Sequence, residues 1–193
     1  MKKAILVILS QLFLFFSYSE QKHIVSIGVD SPIINYYIQS EAKSQKLSGS
    51  GLGVDIQYRF NFINSLYLMS DIDLSFMDFN NGDGLEGAFL FGIGRDFAKK
   101  NNLNLVMSVF TGGNFLLSDI LDDLYKVNLK TYYVLLGFDL FANIKFSKNI
   151  GLFASTTIGG GLGKTLLKKD DLKENANAQN IFFVPKIGLS INF

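Results

Sequence analysis

Ile181-Phe182-Phe183-Val184-Pro185-Lys186-Ile187-Gly188-Leu189-Ser190-Ile191-Asn192-Phe193 is the stretch that decides the fold. Ile181, Phe183, Ile187, Leu189, Ile191 and Phe193 share one parity, while Lys186, Gly188, Ser190 and Asn192 share the other. A period of two is a strand with one greasy face. Three other runs end as this one does, on a polar residue followed by phenylalanine: Arg59-Phe60, Asp96-Phe97 and Lys145-Phe146. Leu52, Val54, Ile56 and Tyr58 lead to Phe60, and Phe89, Phe91 and Ile93 lead to Phe97. Val134, Leu136, Phe138, Leu140 and Ile144 lead to Phe146. Each of these three endings runs straight into a short polar turn. An aromatic at the same end of every second strand sets those ends level, as a membrane interface requires of a sheet that crosses it.

Working outward, the alternation defines eight segments, at roughly 22–30, 49–60, 65–77, 85–97, 102–115, 129–146, 150–163 and 180–193. The links after Phe60, Phe97 and Phe146 are tight, whereas 31–48, 78–84, 116–128 and 164–179 read as longer loops. Short turns on one rim and long loops on the other are the asymmetry of outer-membrane barrels. An even strand count puts both ends of the sheet on the short-turn rim. Within the long links, 116–125 carries apolar residues at helical spacing and reads as a short helix on the rim. Lys164 to Gln179 reads as a solvated charged loop. Pro32 to Ile38 is apolar enough to extend the first two strands as a β-ribbon, an edge that a partner's sheet can join.

The second face separates two fold classes. In a soluble sandwich the apolar face is core and the polar face is wet. Here the polar parity is dominated by Gly, Ser, Thr and Ala, as in Gly151, Ser155, Thr157, Gly159, Gly161 and Gly163. Small residues fit the inside of a narrow barrel and large ones a lipid-facing outside. The run from Ile181 to Phe193 is about 43 Å of strand, and tilted by about 40° it rises roughly 33 Å, ample for an apolar band of about 25 Å. The expected fold is therefore all-β: an eight-stranded antiparallel up-and-down transmembrane β-barrel. An open sheet would leave backbone groups unpaired in hydrocarbon. Arg95 falls on the lipid parity two residues from Phe97, close enough to the rim to snorkel. Pro185 removes a ladder hydrogen bond, so a bulge or a gap in pairing is expected beside it.

The front of the chain fits an exported barrel. Lys2 and Lys3 precede an apolar run from Ala4 to Phe16, and Ser17-Tyr18-Ser19 offers small residues at a cut, the tripartite form of a secretory signal. The expected division is 1–19 as a cleaved signal and 20–193 as the barrel. Without Lys2 and Lys3 the 18 basic residues become 16, against 17 acidic ones. That balance offers nucleic acid no electrostatic footprint. There are no cysteines, so neither disulfides nor a lipid-modified cysteine are available. The mean hydropathy of +0.25 is high for a chain with this many polar loop residues.

On these residues the chain resembles the small eight-stranded outer-membrane barrels, the OmpA transmembrane domain and OmpX type. Its sharpest part is Pro185 to Phe193, with Leu189, Ile191 and the terminal Phe193 resembling the signal read by the outer-membrane assembly machinery. The resemblance implies that machinery and periplasmic chaperones as transient partners, outer-membrane lipids as permanent surroundings, and a monomer in the outer membrane of a diderm bacterium. The analogy is expected to stop at the barrel, without a peptidoglycan-binding domain.

Eight strands enclose an interior just wide enough for side chains. The inward parity places Asp55, Arg59, Asp71, Asp73, Glu86, Asp96, Asp139, Lys145 and Lys186 there. Charges of both signs in a narrow tube pair, because an unpaired buried ion costs several kcal/mol. The expectation is an internal network that plugs the barrel; the alternative is a narrow gated pore in which Arg59 or Lys186 exchanges acidic partners. Phe60, Phe97, Phe146 and Phe193 form the expected aromatic girdle. No cofactor or metal is expected. The only histidine, His23, starts the first segment near the short-turn rim rather than on the outer-leaflet side, and it reads as a satisfied or solvated side chain rather than the base that nucleophilic hydrolysis needs. Gly163-Lys164-Thr165 lacks the first glycine of a phosphate loop, since position 158 is Ile158. Residues 78–84 have the composition of a calcium loop, but Gly82 occupies a ligand position, so they read as a polar turn. The sequence thus points to a non-enzymatic barrel with structural or adhesin-like, surface-binding roles, with a porin-like channel second and a lipid-modifying enzyme third.

Overall fold

The computed structural model describes residues 23–39, 44–63, 65–100, 102–122, 125–169 and 172–193. The expected signal segment and its cut lie outside the described residues. Nine strands run through the remainder: β1 (His23–Asp30), β2 (Ile33–Gln39), β3 (Ser44–Ile63), β4 (Leu66–Phe79), β5 (Gly82–Lys100), β6 (Leu103–Asp122), β7 (Tyr125–Lys145), β8 (Ile150–Lys169) and β9 (Leu172–Asn192). Every neighbouring pair is antiparallel, and β1 and β2 both bridge β3 and β9, which closes the sheet into a ring.

The nine strands make eight staves. Asp30 faces Gly53 and Ile33 faces Ser50, so β1 and β2 follow one unbroken register against β3. They do so against β9 as well, with Asp30 on Lys186 and Ile33 on Phe183. Only Ser31 and Pro32 interrupt this first stave. Ser31 N still donates to Pro185 O at 3.1 Å, and Gly51 N to Pro32 O at 2.9 Å. The chain's two prolines therefore stand almost side by side on adjacent staves. The bulge expected at Pro185 is absent, because Thr156 faces it with no slip in the β8–β9 ladder. Its cost appears instead as the short gap opposite, where neither proline can donate a hydrogen bond.

The register also fixes the barrel's shape. Following direct partners from Gly28 leads through Asp55, Asp73, Ala88, Asn114, Tyr133, Gly163 and Ala178 back to the first stave at Ile38. The stagger from Gly28 to Ile38 is ten residues. That is about 33 Å along the strands against about 38 Å around eight of them, a tilt of roughly 41°, inside the range barrels adopt. On β9 the outward residues from Ile181 to Phe193 then rise about 30 Å. Leu52, Phe76, Val134, Leu136 and Leu162 are each about two-thirds exposed or more, and they lie on that outward face. A closed wall with such a belt is a transmembrane barrel. Arg95 is exposed on the same side by the turn rim, as its position required.

The long links are corrected. Residues 116–122 continue β6 and form no helix, and β8 and β9 run through most of 164–179. The 78–84 link shrinks to a turn at Asn80 and Asn81. Pro32 to Ile38 does extend the barrel, but Ile33–Gln39 is paired on both sides, by β3 and β9, so the edge expected to be open to a partner's sheet is already taken. On β9, about nine residues precede Ile181, lifting the wall by roughly 20 Å above the belt. The reason is the inward parity of these segments, which offers apolar side chains something to pack on and so rewards continuing the ladder.

At the opposite rim Ser65 holds φ at +78°, a conformation that favours glycine. Ser65→Gly is expected to raise stability by about 0.5–1 kcal/mol. Urea titration in lipid vesicles, followed by circular dichroism, checks it; a loss of stability would reject the relief of strain.

Candidate functional site in the barrel lumen

Alternation sends every second residue of each stave inward, and the inward residues form three layers. Toward the long-strand rim, Ile34, Tyr36, Phe79, Leu116, Tyr133 and Phe182 belong to one buried apolar cluster. Tyr36 packs against Tyr133 and Phe79, with ring centroids 5.6 and 5.9 Å away. Toward the turn rim, Ile24, Tyr67, Val106, Phe141 and Phe153 form a smaller cluster. Between them lies the charged layer.

Arg59 sits at the centre of that layer, 1% exposed. Its Nη2 donates to Asp139 Oδ2 at 2.6 Å and to Gln57 Oε1 at 3.2 Å, while Nη1 donates to Ser108 Oγ at 3.2 Å. The guanidinium lies 4.1 Å over the Phe141 ring, which itself stacks on Phe153. Planar, always charged and weakly hydrated, arginine suits a site that is both polar and stacked. Lys186 Nζ donates to Asp71 Oδ2 and to Asp73 Oδ1, each at 2.6 Å. Gln57 ties the two halves together, since its Oε1 accepts from Arg59 while its Nε2 donates to Asp71 Oδ2 at 3.5 Å and to Ser155 Oγ at 3.1 Å. The network thus links β3, β4, β6, β7, β8 and β9 across the lumen, and Arg59 and Asp139 are 80 residues apart in sequence.

The expected lumen residues divide by height. Asp55, Arg59, Asp71, Asp73, Asp139 and Lys186 meet in the central layer. Glu86 lies higher, where Asn114 Nδ2 donates to its Oε1 at 2.6 Å. Asp96 and Lys145 are half-buried near the turn rim, on β5 and β7. Sequence reasoning missed Asp30, which is buried, takes a 2.8 Å hydrogen bond from Ser75 and faces Lys186 across the β1–β9 ladder. Its parity with Ser26 and Gly28 was the available signal. The inward face was also expected to be small, yet its outer half is large and apolar. The signal there was a loss of alternation, as in Tyr132-Tyr133-Val134-Leu135-Leu136 and Ile181-Phe182-Phe183-Val184, where both parities are apolar.

The central layer carries an excess of acid. Asp30, Asp55, Asp71, Asp73 and Asp139 face two bases, Arg59 and Lys186. Both oxygens of Asp55 lack a hydrogen-bond partner. Asp55, Asp71 and Asp73 bring carboxylate oxygens within 4.8 Å of one another, a spacing that can hold a metal ion, but Lys186 already supplies the cation to two of them. Among the described residues the inward side chains pack into successive layers. A cavity of about 20 Å³ lies between the apolar and charged layers, lined by Asp73, Glu86, Asn114, Leu135, Thr157 and Phe182. That volume admits about one water molecule.

The girdle positions all point outward at the turn rim. Phe97 and Phe146 are more than 60% exposed, and Phe193 and Phe60 are partly covered. Leu189 and Ile191 join the belt. His23 stacks on Phe60 at 4.9 Å, and its Nδ1 lies 2.8 Å from the Tyr58 hydroxyl. That arrangement anchors the barrel's seam, where Phe193 N donates to His23 O at 2.9 Å.

No family model and no curated protein sequence matches the chain. Solved structures do. The outer membrane protein OprG from Pseudomonas aeruginosa superposes with a TM-score of 0.67 at 9% identity, over 90% of this chain and 96% of that one. The outer membrane protein AlkL, solved in lipid bilayers, gives 0.60 at 10% identity, covering 92% of each chain. Ail, the attachment invasion locus protein of Yersinia pestis, gives 0.54 at 14% identity, over 91% of this chain and all of that one. At such identities the likeness is one of fold: the chain has the architecture of the small outer-membrane β-barrels.

Proposed function

We propose that the chain is a non-enzymatic outer-membrane protein, a sealed barrel that carries a rigid, strand-built rim for binding at the cell surface. The observation that carries this reading is the filled lumen. Apolar, charged and aromatic layers follow one another, and the gap between the first two holds about one water. A conducting pore needs a continuous wet path, whereas a plug needs satisfied, opposed charges. The outer wall supports the surface role, since about 20 Å of paired strand above the belt presents a preformed face at little entropic cost. Ail, an attachment invasion locus protein, shares the fold. Lipids are its surroundings, the assembly machinery and periplasmic chaperones its transient partners, and a host or surface molecule its ligand.

Two measurements test it. In planar bilayers the purified protein is expected to give no stable, size-selective conductance; reproducible channels would establish the porin-like alternative. Because the chain has no cysteine, Lys168→Cys gives a single label site on the outer wall. A membrane-impermeant maleimide is expected to label it on intact cells. Labelling only after lysis would reject the orientation.

A further inference from the structure

Two bases do not balance the central layer. Arg59 takes Asp139, which leaves Asp30, Asp55, Asp71 and Asp73 to the single ammonium of Lys186. Lys186 engages Asp71 Oδ2 and Asp73 Oδ1 but neither oxygen of Asp55. Among the described residues no other base donates to any of these four carboxylates. Asp55 is fully buried, and directly opposite it on β4 stands Asp73. Like charges directly opposite are destabilising, and a buried charge without a partner is costly.

The bare oxygens gather on one side of the lumen. Both oxygens of Asp55, Asp71 Oδ1, Asp30 Oδ2 and Ser26 Oγ have no hydrogen-bond partner. All belong to buried residues on three adjacent staves, β1, β3 and β4. Asp55, Asp71 and Asp73 each bring a carboxylate oxygen within 4.8 Å of the others. Glycines let the carboxylates lie against the wall. A Cβ at Gly28, which faces Asp55 across the ladder, would meet Asp55 Oδ1 at 2.8 Å, and one at Gly53 would meet Asp30 Oδ1 at 2.6 Å. The donor set is anionic and made of oxygen alone, which selects a hard cation. Magnesium demands a regular octahedron and keeps several waters, whereas calcium takes carboxylates singly or in pairs in a flexible shell. A layer filled by side chains suits calcium.

We propose that the charged layer binds one calcium ion, held by both oxygens of Asp55, by Asp71 Oδ1 and by Asp73. Asp30 and Ser26 supply the next oxygens along the wall. Lys186 keeps its own two bonds, and the ion offsets the charge that Lys186 leaves. Apolar clusters lie above and below the layer, so the ion enters as the barrel folds and exchanges slowly afterwards. The site does not depend on what the rim binds.

The test is to refold the barrel from urea into phosphatidylcholine vesicles with calcium, with magnesium or with a chelator. A chelator wash then strips exposed acids, and elemental mass spectrometry counts the metal that stays. Retention of about one calcium per barrel is expected, with a higher urea midpoint than after refolding in chelator. Asp55→Asn keeps the shape but removes the charge, and it is expected to raise the calcium needed for half-loading about tenfold. In chelator the same variant is expected to outlast the wild type in urea, because it carries one bare charge fewer. No calcium retained by the wild type overturns the proposal, since the layer then holds its surplus as protons. Unchanged retention in folded Asp55→Asn overturns it too, as does retention of magnesium in preference to calcium.

Discussion

Replacing Lys186 with methionine is expected to cost the barrel about 3–5 kcal/mol. The ammonium is fully buried and donates to both Asp71 and Asp73 at 2.6 Å, with Asp30 opposite it on the ladder. Methionine preserves the stem and most of the volume, so packing contributes little to the loss. What remains is a cluster of carboxylates, including the partnerless Asp55, that loses its one local cation. Adding Asp71→Asn to Lys186→Met is expected to recover part of the loss, because it removes one of the stranded charges. Urea unfolding in lipid vesicles measures both. A single-variant cost below about 1 kcal/mol, the scale of an exposed pair, would show that the charged layer is wet.

The belt and the count of staves were legible because both follow from parity. Val134 to Phe146 or Ile187 to Phe193 states which side meets lipid without reference to any partner strand. Parity also says on which side of the wall a charge stands, and Asp55, Asp71, Asp139 and Lys186 are all buried. It could not say which charge meets which. That depends on the ten-residue stagger, which brings Arg59 to Asp139 and Lys186 to the Asp71 and Asp73 pair from the far side of the ring. Stagger is a property of closure, and no single stave contains it.

The outer wall was misread for a different reason. Segments such as Leu116 to Leu124 carry apolar residues on both parities, so a period of two disappears and helical spacing emerges by coincidence. In the barrel those residues have two apolar environments. Leu116 and Ile120 enter the inner cluster, while Leu117 faces outward beneath Asp119. Charged runs such as Lys164 to Lys169 misled in the opposite sense, because a strand with one wet face tolerates lysine at every exposed position. Thr165 on that strand is fully buried against Thr131 at 2.8 Å.

Arg59→Ala separates stability from sealing. Removing the guanidinium strands Asp139, empties the space over Phe141 and leaves Gln57 and Ser108 without their partner, so a loss of about 3–5 kcal/mol is expected. Conductance is a different matter. The apolar layer of Tyr36, Phe79, Leu116, Tyr133 and Phe182 lies above the charged one and does not depend on Arg59 for its packing. The alanine variant is therefore expected to unfold in less urea yet remain electrically silent. Arg59→Met with Asp139→Leu replaces the pair by apolar groups of similar volume, and it is expected to regain most of the lost stability. If Arg59→Ala instead opens a steady conductance, the charged layer alone closes the barrel and the apolar layer is permeable. If the double variant is no better than the single one, the value of Arg59 lies in its links to Gln57 and Ser108, which hold opposite walls of the lumen together.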